Sequence, residues 1–182
     1  MKYAEIKKYD IANGPGLRIS IFVCGCTHKC KNCFNQELWN PDFGDEYTED
    51  TEKNIITFMK SNYVTGLSLL GGDPLDFENY KALLPLVKRT KEMGKSVWCY
   101  TGSIYEDIWK KCKSDPILEE FLSYIDVIVD GPFIEDLKNP MLKFRGSSNQ
   151  RIIDNEKTLL KYYTNIQSYE DYKDIEPIIV VE

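Results

Sequence analysis

The sequence predicts a single α/β domain, and three observations carry the prediction. Short apolar runs suited to strands alternate with amphipathic stretches of helical period. Clusters of Gly, Pro, Asn and Asp separate them. The chain has 182 residues, enough for one domain that buries roughly 70% of its unfolded surface. Alternation of this kind implies a parallel sheet wound through right-handed crossovers. About five or six βα units are expected, too few to close an eight-stranded barrel.

Residues 3–9 read as a first strand, followed by a tight loop, Asp10-Ile11-Ala12-Asn13-Gly14-Pro15-Gly16. Leu17–Val23 is the clearest strand, with Ile19, Ile21 and Phe22 suited to a pleated surface. Residues 34–47 look irregular. Thr48 is placed to cap a helix running to Asn62, with Ile55, Phe58 and Met59 on one face. Gly66–Leu70 is a short strand that runs into Gly71-Gly72-Asp73-Pro74-Leu75. A helix from about Phe77 to Met93 carries Tyr80, Leu83, Leu84 and Val87, contains Pro85 and stops at Gly94. Lys95–Tyr100 is a strand ending in Thr101-Gly102. Helical pattern follows at Ile104–Cys112 and Ile117–Tyr124, then a strand at Asp126–Asp130 and a long loop over 134–150. Arg151–Ile153 reads as a strand, Glu156–Tyr163 as a helix and Ile178–Val181 as one more strand. The expected core spans about residues 3–153 of a single 1–182 domain, with 154–182 as a C-terminal extension.

Composition narrows the function classes. A net charge of -6 argues against nucleic-acid binding, which needs a basic face. No apolar run is long enough for a membrane span, and Met1-Lys2-Tyr3-Ala4-Glu5 lacks the apolar core of a signal peptide. The expectation is a cytoplasmic protein whose six cysteines stay reduced. Cys99 and Cys112 are isolated and read as small core residues.

Three special stretches fall at the C-terminal ends of strands, where parallel α/β folds collect ligands. The first is Cys26-Thr27-His28-Lys29-Cys30-Lys31-Asn32-Cys33, after the Leu17–Val23 strand. Three thiols are one short of a closed metal site, and an open position is what metal chemistry needs. A closed zinc site of Cys24, Cys26, Cys30 and Cys33, or a redox pair of Cys30 and Cys33, are the competing readings. His28 lies inside the spacer and reads as a polar surface residue. The second stretch is Gly71-Gly72-Asp73-Pro74, whose glycines let a backbone approach a ligand; alone it is also a plain turn, with Asp73 as helix cap. The third is Tyr100-Thr101-Gly102. Arg18 and Arg145 read as surface charges, and Gly14-Pro15-Gly16, Asp130-Gly131-Pro132 and Gly146–Gln150 as plain turns.

Taken together, Cys26, Cys30 and Cys33 at C-x3-C-x2-C spacing, the aromatic Phe34 and the Gly71–Pro74 segment resemble the radical S-adenosylmethionine enzymes. Asn13–Arg18, Cys33-Phe34-Asn35, Asp130–Phe133 and Arg145–Gln150 bring the sequence closest to the glycyl-radical-enzyme activases within that superfamily, in particular the group serving anaerobic (class III) ribonucleotide reductases. The matched segments span residues 10 to about 153. The resemblance implies a partial, incomplete TIM-like barrel of the radical S-adenosylmethionine type. It implies a 4Fe–4S cluster on Cys26, Cys30 and Cys33, with S-adenosylmethionine on its open iron. The backbone of Gly71, Gly72 and Asp73 would hold the methionyl amine, and the backbone around Asn32, Cys33 and Phe34 the adenine. No catalytic side chain is implied beyond the cluster ligands. The implied partners are the large subunit of the reductase, through its glycyl-radical loop, and a low-potential electron donor such as flavodoxin. The rivals are an activase of pyruvate formate-lyase type, a ring-contracting synthase of the deazapurine pathway and a zinc-stapled binding module. Cys24 departs from the family pattern, where a non-ligand residue such as serine is expected, and the tail beyond Asp154 has no counterpart.

Overall fold

The apolar alternation of Leu17–Val23 organises the fold, because both faces of this strand are covered. The computed structural model describes residues 1–165 and 175–180. Its strands are β1 (Lys2–Asp10), β2 (Leu17–Val23), β3 (Asp45–Glu46), β4 (Val64–Gly71), β5 (Ser96–Tyr100), β6 (Val127–Asp130) and β7 (Arg151–Asp154). Its helices are α1 (Glu49–Met59), α2 (Asn79–Glu92), α3 (Tyr105–Cys112), α4 (Pro116–Ser123) and α5 (Asn155–Asn165). The strands form one mixed sheet in the order β3-β1-β2-β4-β5-β6-β7.

Only β2, β4, β5 and β6 are mutually parallel. They are joined by three helical crossovers, fewer than the five or six units expected. β1 pairs antiparallel with β2 and with β3, and β7 antiparallel with β6. The reason is connection length and content. The loop between β1 and β2 is too short for a crossover, which needs a dozen or more residues. The segment between β6 and β7 contains only a short 3-10 turn, Glu135–Leu137. The sheet is open and does not close into a barrel. Past α5, the expected final strand amounts to one antiparallel bridge, Ile153 to Ile179; Val181 lies outside the described residues.

Side chains sort by strand parity. Ile19, Ile21, Leu67, Leu69, Val97, Cys99, Ile128 and Ile153 face the helices, where they pack with Ile55, Met59, Leu83, Leu86, Trp109 and Phe121. Cys112 joins the same core. The opposite, helix-free face carries Arg18, Ser20, Ser68, Trp98 and Val129, and Phe144 packs edge-on against Trp98 at 5.5 Å. Local chemistry sets the helix ends. Thr48 caps α1 in a reciprocal box with Thr51. α2 starts at Asn79, two residues later than expected, because Phe77 and Glu78 are left-handed (φ 49° and 58°). Pro85 sits within α2 without ending it.

Arg18 is not a surface charge: it is fully buried. Its guanidinium donates from Nε to Ser68 Oγ (2.7 Å), from Nη1 to Ser96 Oγ (2.9 Å) and Pro15 O (3.4 Å), and from Nη2 to Leu67 O (2.7 Å) and Ser96 O (3.1 Å). All five bonds go to neutral oxygens. Burial pulls its pKa down to about 10, so the cation persists at neutral pH. Ser68 Oγ in turn donates to Asn13 O (2.5 Å). The sheet thereby grips the Asn13–Gly16 loop from below.

Arg151 closes the other flank. It donates in a fork to Glu106 (2.9 and 2.7 Å) and also binds the buried Asp130, joining α3, β6 and β7.

Removing the Arg18 donors strands several buried acceptors. Arg18→Met is expected to lower the unfolding free energy by on the order of 3 kcal/mol in urea denaturation. The fork on Arg151 depresses the Glu106 pKa below its ordinary 4.5. The stability it contributes is full above that value and is lost as pH falls through the depressed one. Glu106→Gln should therefore make the acid limb of a stability–pH curve shallower, with a loss at pH 7 under about 1 kcal/mol for a partly exposed pair.

Candidate metal centre

The C-terminal ends of β2, β4 and β5 open into a cleft of about 360 Å³, within the range of small-molecule sites. Cys26, Cys30 and Cys33 line it, together with Gly71 and Gly72 and with Tyr100, Thr101 and Gly102. The three strand-end stretches therefore meet, as parallel topology demands. Asn13, Phe144 and Gln150 form the facing wall. Cys24 is buried and does not line the cleft; its carbonyl accepts from Asn79 Nδ2 (2.9 Å).

The cysteine loop and the Gly-Gly turn touch backbone to backbone. Gly72 N donates to Val23 O (2.7 Å), Asp73 N to Gly25 O (2.8 Å) and Gly25 N to Leu38 O (2.8 Å). A Cβ on Gly72 would lie 2.5 Å from Gly25 O and 2.9 Å from Leu38 O. Gly71 has φ 109°, and a Cβ there would lie 2.7 Å from Phe22 Cα. Gly72 is thus required by close approach, and Gly71 by close approach and by conformation.

Asp73 does not cap α2, and its carboxylate does not line the cleft. It is 1% exposed. Its Oδ1 accepts from Leu75 N (2.9 Å), and its Oδ2 from Thr101 Oγ1 (2.8 Å), Gly102 N (3.0 Å) and His28 Nε2 (2.9 Å). His28 is accordingly half-buried rather than a surface residue, and the hydrogen bond to Asp73 raises its pKa. Thr27 donates to Asp76 Oδ2 from both N and Oγ1 (2.7 Å each). Asn32 is exposed and left-handed (φ 53°), and its side chain bonds Glu135 outside the cleft. Phe34 is 67% exposed at the cleft mouth, 5.3 Å from the Phe133 ring, with Lys138 Nζ 4.6 Å above it. Arg145 lines the cleft and donates to Gln150 O (2.9 Å).

The donor set fits an iron–sulfur cluster. Soft thiolates select such clusters or zinc, and the cleft presents three. His28 also lines it, with its Nε2 held by Asp73, and among the described residues no fourth cysteine lines the cleft. Among the described residues, the buried Tyr100 OH and Trp39 Nε1, on two side chains that line the cleft, have no hydrogen-bond partner. Burial pushes the Cys26 thiol up to about 11 and also raises Cys30, so metal binding releases protons.

The chain matches the model of the 4Fe-4S single cluster domain family over residues 12–153. It is 41% identical over 156 residues to the anaerobic ribonucleoside-triphosphate reductase-activating protein of Vibrio cholerae, covering 84% of this chain and 97% of that one. The protein of that name from Enterobacteria phage T4 is 38% identical over 164 residues, covering 89% and 99%. That of Escherichia coli K12 is 38% identical over 154 residues, covering 82% and 96%. The chain belongs to the family of anaerobic ribonucleoside-triphosphate reductase-activating proteins.

The backbone contact at Gly72 leaves no room to relax. Gly72→Ala is expected to cost about 1–3 kcal/mol, read as a lowered midpoint in thermal unfolding.

Proposed function

We propose that this iron–sulfur family member is the activase of an anaerobic (class III) ribonucleotide reductase, on which it generates a glycyl radical. The observation that carries the reading is the cleft itself: three thiols face one cavity beside a Gly-Gly turn, with no fourth. The names of the relatives point to the same partner.

In this reading Cys26, Cys30 and Cys33 hold a 4Fe–4S cluster. The Gly71–Asp73 backbone receives the amine of S-adenosylmethionine, and the backbone of Asn32, Cys33 and Phe34 its adenine. Bound there, the two groups would supply one-electron reductive radical chemistry at the sulfonium, directed at a glycine Cα–H of the partner. The chain's own residues ligate, orient and shield. The exposed Phe34 and the open mouth leave room for a loop of another protein. Buried Asp73 and Asp130 are each spent on hydrogen bonds within the fold, which supports a site with no acid–base residue. We read the open sheet as a partial barrel and residues 1–182 as one domain with its core at 3–153. A low-potential flavodoxin is the fitting electron donor. No helix among the described residues is long and apolar enough to cross a membrane, and free thiols in an open cleft suit a reducing cytoplasm.

Anaerobically purified protein should be brown. On reduction it should cleave S-adenosylmethionine and, with the reductase, give a glycyl-radical signal by electron paramagnetic resonance. A colourless protein carrying zinc sinks the proposal. Cys24→Ala should keep its iron and Cys30→Ala lose it; the reverse pattern between Cys24→Ala and Cys26→Ala would show the ligand assignment to be wrong.

A further inference from the structure

Asp73 sits in the turn assigned to S-adenosylmethionine, yet its carboxylate is committed elsewhere. Its donors come from three segments: Leu75 of its own turn, Thr101 and Gly102 at the end of β5, and His28 of the cysteine loop. No lysine or arginine is among these partners, and the carboxylate is almost fully buried. Hydrogen bonds to a carboxylate sheltered from water are among the strong ones.

His28 lies midway between Cys26 and Cys30. To meet Asp73, its Nε2 carries the proton, which fixes the tautomer. Its ring lies against Gly102 so closely that a Cβ there would be 2.5 Å from Cδ2. The neighbouring bond from Thr27 to Asp76 runs between more exposed groups, where water competes. The sheltered link from the C-x3-C spacer to the turn is therefore the one from His28 to Asp73.

We propose that His28 and Asp73 are positioning residues. Their hydrogen bond fixes the Cys26–Cys30 segment against the Gly71–Gly72 turn, and so sets how the iron held by the loop meets the S-adenosylmethionine held by the turn. The functional half of this statement rests on the activase reading; the mechanical half rests on the fold alone.

The test compares wild type, His28→Phe, which keeps a ring on Gly102 but loses the N–H, and His28→Gln, which restores a donor. In metal-free protein under reducing conditions, iodoacetamide alkylation of the loop thiols is followed by mass spectrometry. His28→Phe should react about tenfold faster, as expected for loss of one charged hydrogen bond, and His28→Gln close to wild type. In cluster-loaded protein, S-adenosylmethionine is titrated against the electron paramagnetic resonance spectrum of the reduced cluster. The half-effect concentration should rise about tenfold in His28→Phe and be largely restored in His28→Gln, with iron content the same in all three. Gly102→Ala, which displaces the ring from its other side, should move both readouts the same way and guards against a folding defect peculiar to His28→Phe. Equal alkylation rates in wild type and His28→Phe would overturn the tether. An unchanged titration in His28→Phe would overturn its role in positioning. A wild-type spectrum indifferent to S-adenosylmethionine would overturn the activase reading and, with it, the functional half alone.

Discussion

The structure depends on a close approach of two backbones. The cysteine loop leaves β2 and the Gly-Gly turn leaves β4, and these strands are parallel neighbours paired up to Val23 and Gly71. The two connections emerge side by side at one level. They lock together backbone to backbone through Val23 O and Gly25 O, which accept from Gly72 N and Asp73 N. Everything specific about the cleft follows. The thiols face the turn because the loop has nowhere else to run, and the turn consists of glycines because a Cβ would occupy the carbonyls it must meet.

Beneath the cleft, the helix-free face of the sheet is not a conventional apolar layer. It holds Arg18, Ser20 and Ser68 beside Trp98. A buried cation costs several kcal/mol of desolvation unless its donors are filled, and Arg18 fills all of them with neutral acceptors from β4, β5 and the Asn13–Gly16 loop. The charge is therefore used as a five-pointed clamp. It ties the loop that lines one wall of the cleft to the strands that line the other.

Much of this was legible in the residues. The parity of Ile19 and Ile21, the Thr48 cap and the strand-end positions of Cys26, Gly71 and Thr101 are local signals, and they placed the elements and the meeting of the three stretches. The antiparallel flanks were not legible from alternation alone. They follow from connections, 11–16 and 131–150, that lack a crossover helix. The misplaced side chains share one cause. Arg18, His28 and Asp73 look exposed by residue type, and their burial depends on partners 28 to 78 positions away. Position 18 did carry a hint, since it shares strand parity with Ser20 rather than with Ile19. Nothing near His28 in the sequence names Asp73.

Those separations also make the site a product of the whole chain. His28 reaches 45 residues to Asp73, Arg18 reaches 78 to Ser96, and Asn32 reaches 103 to Glu135. The cleft takes its lining from residue 12 through to residue 150. No short fragment contains the site, and contacts so distant in sequence make for a high contact order and slow folding. The cleft is complete only where the 131–150 connection stands opposite the cysteine loop.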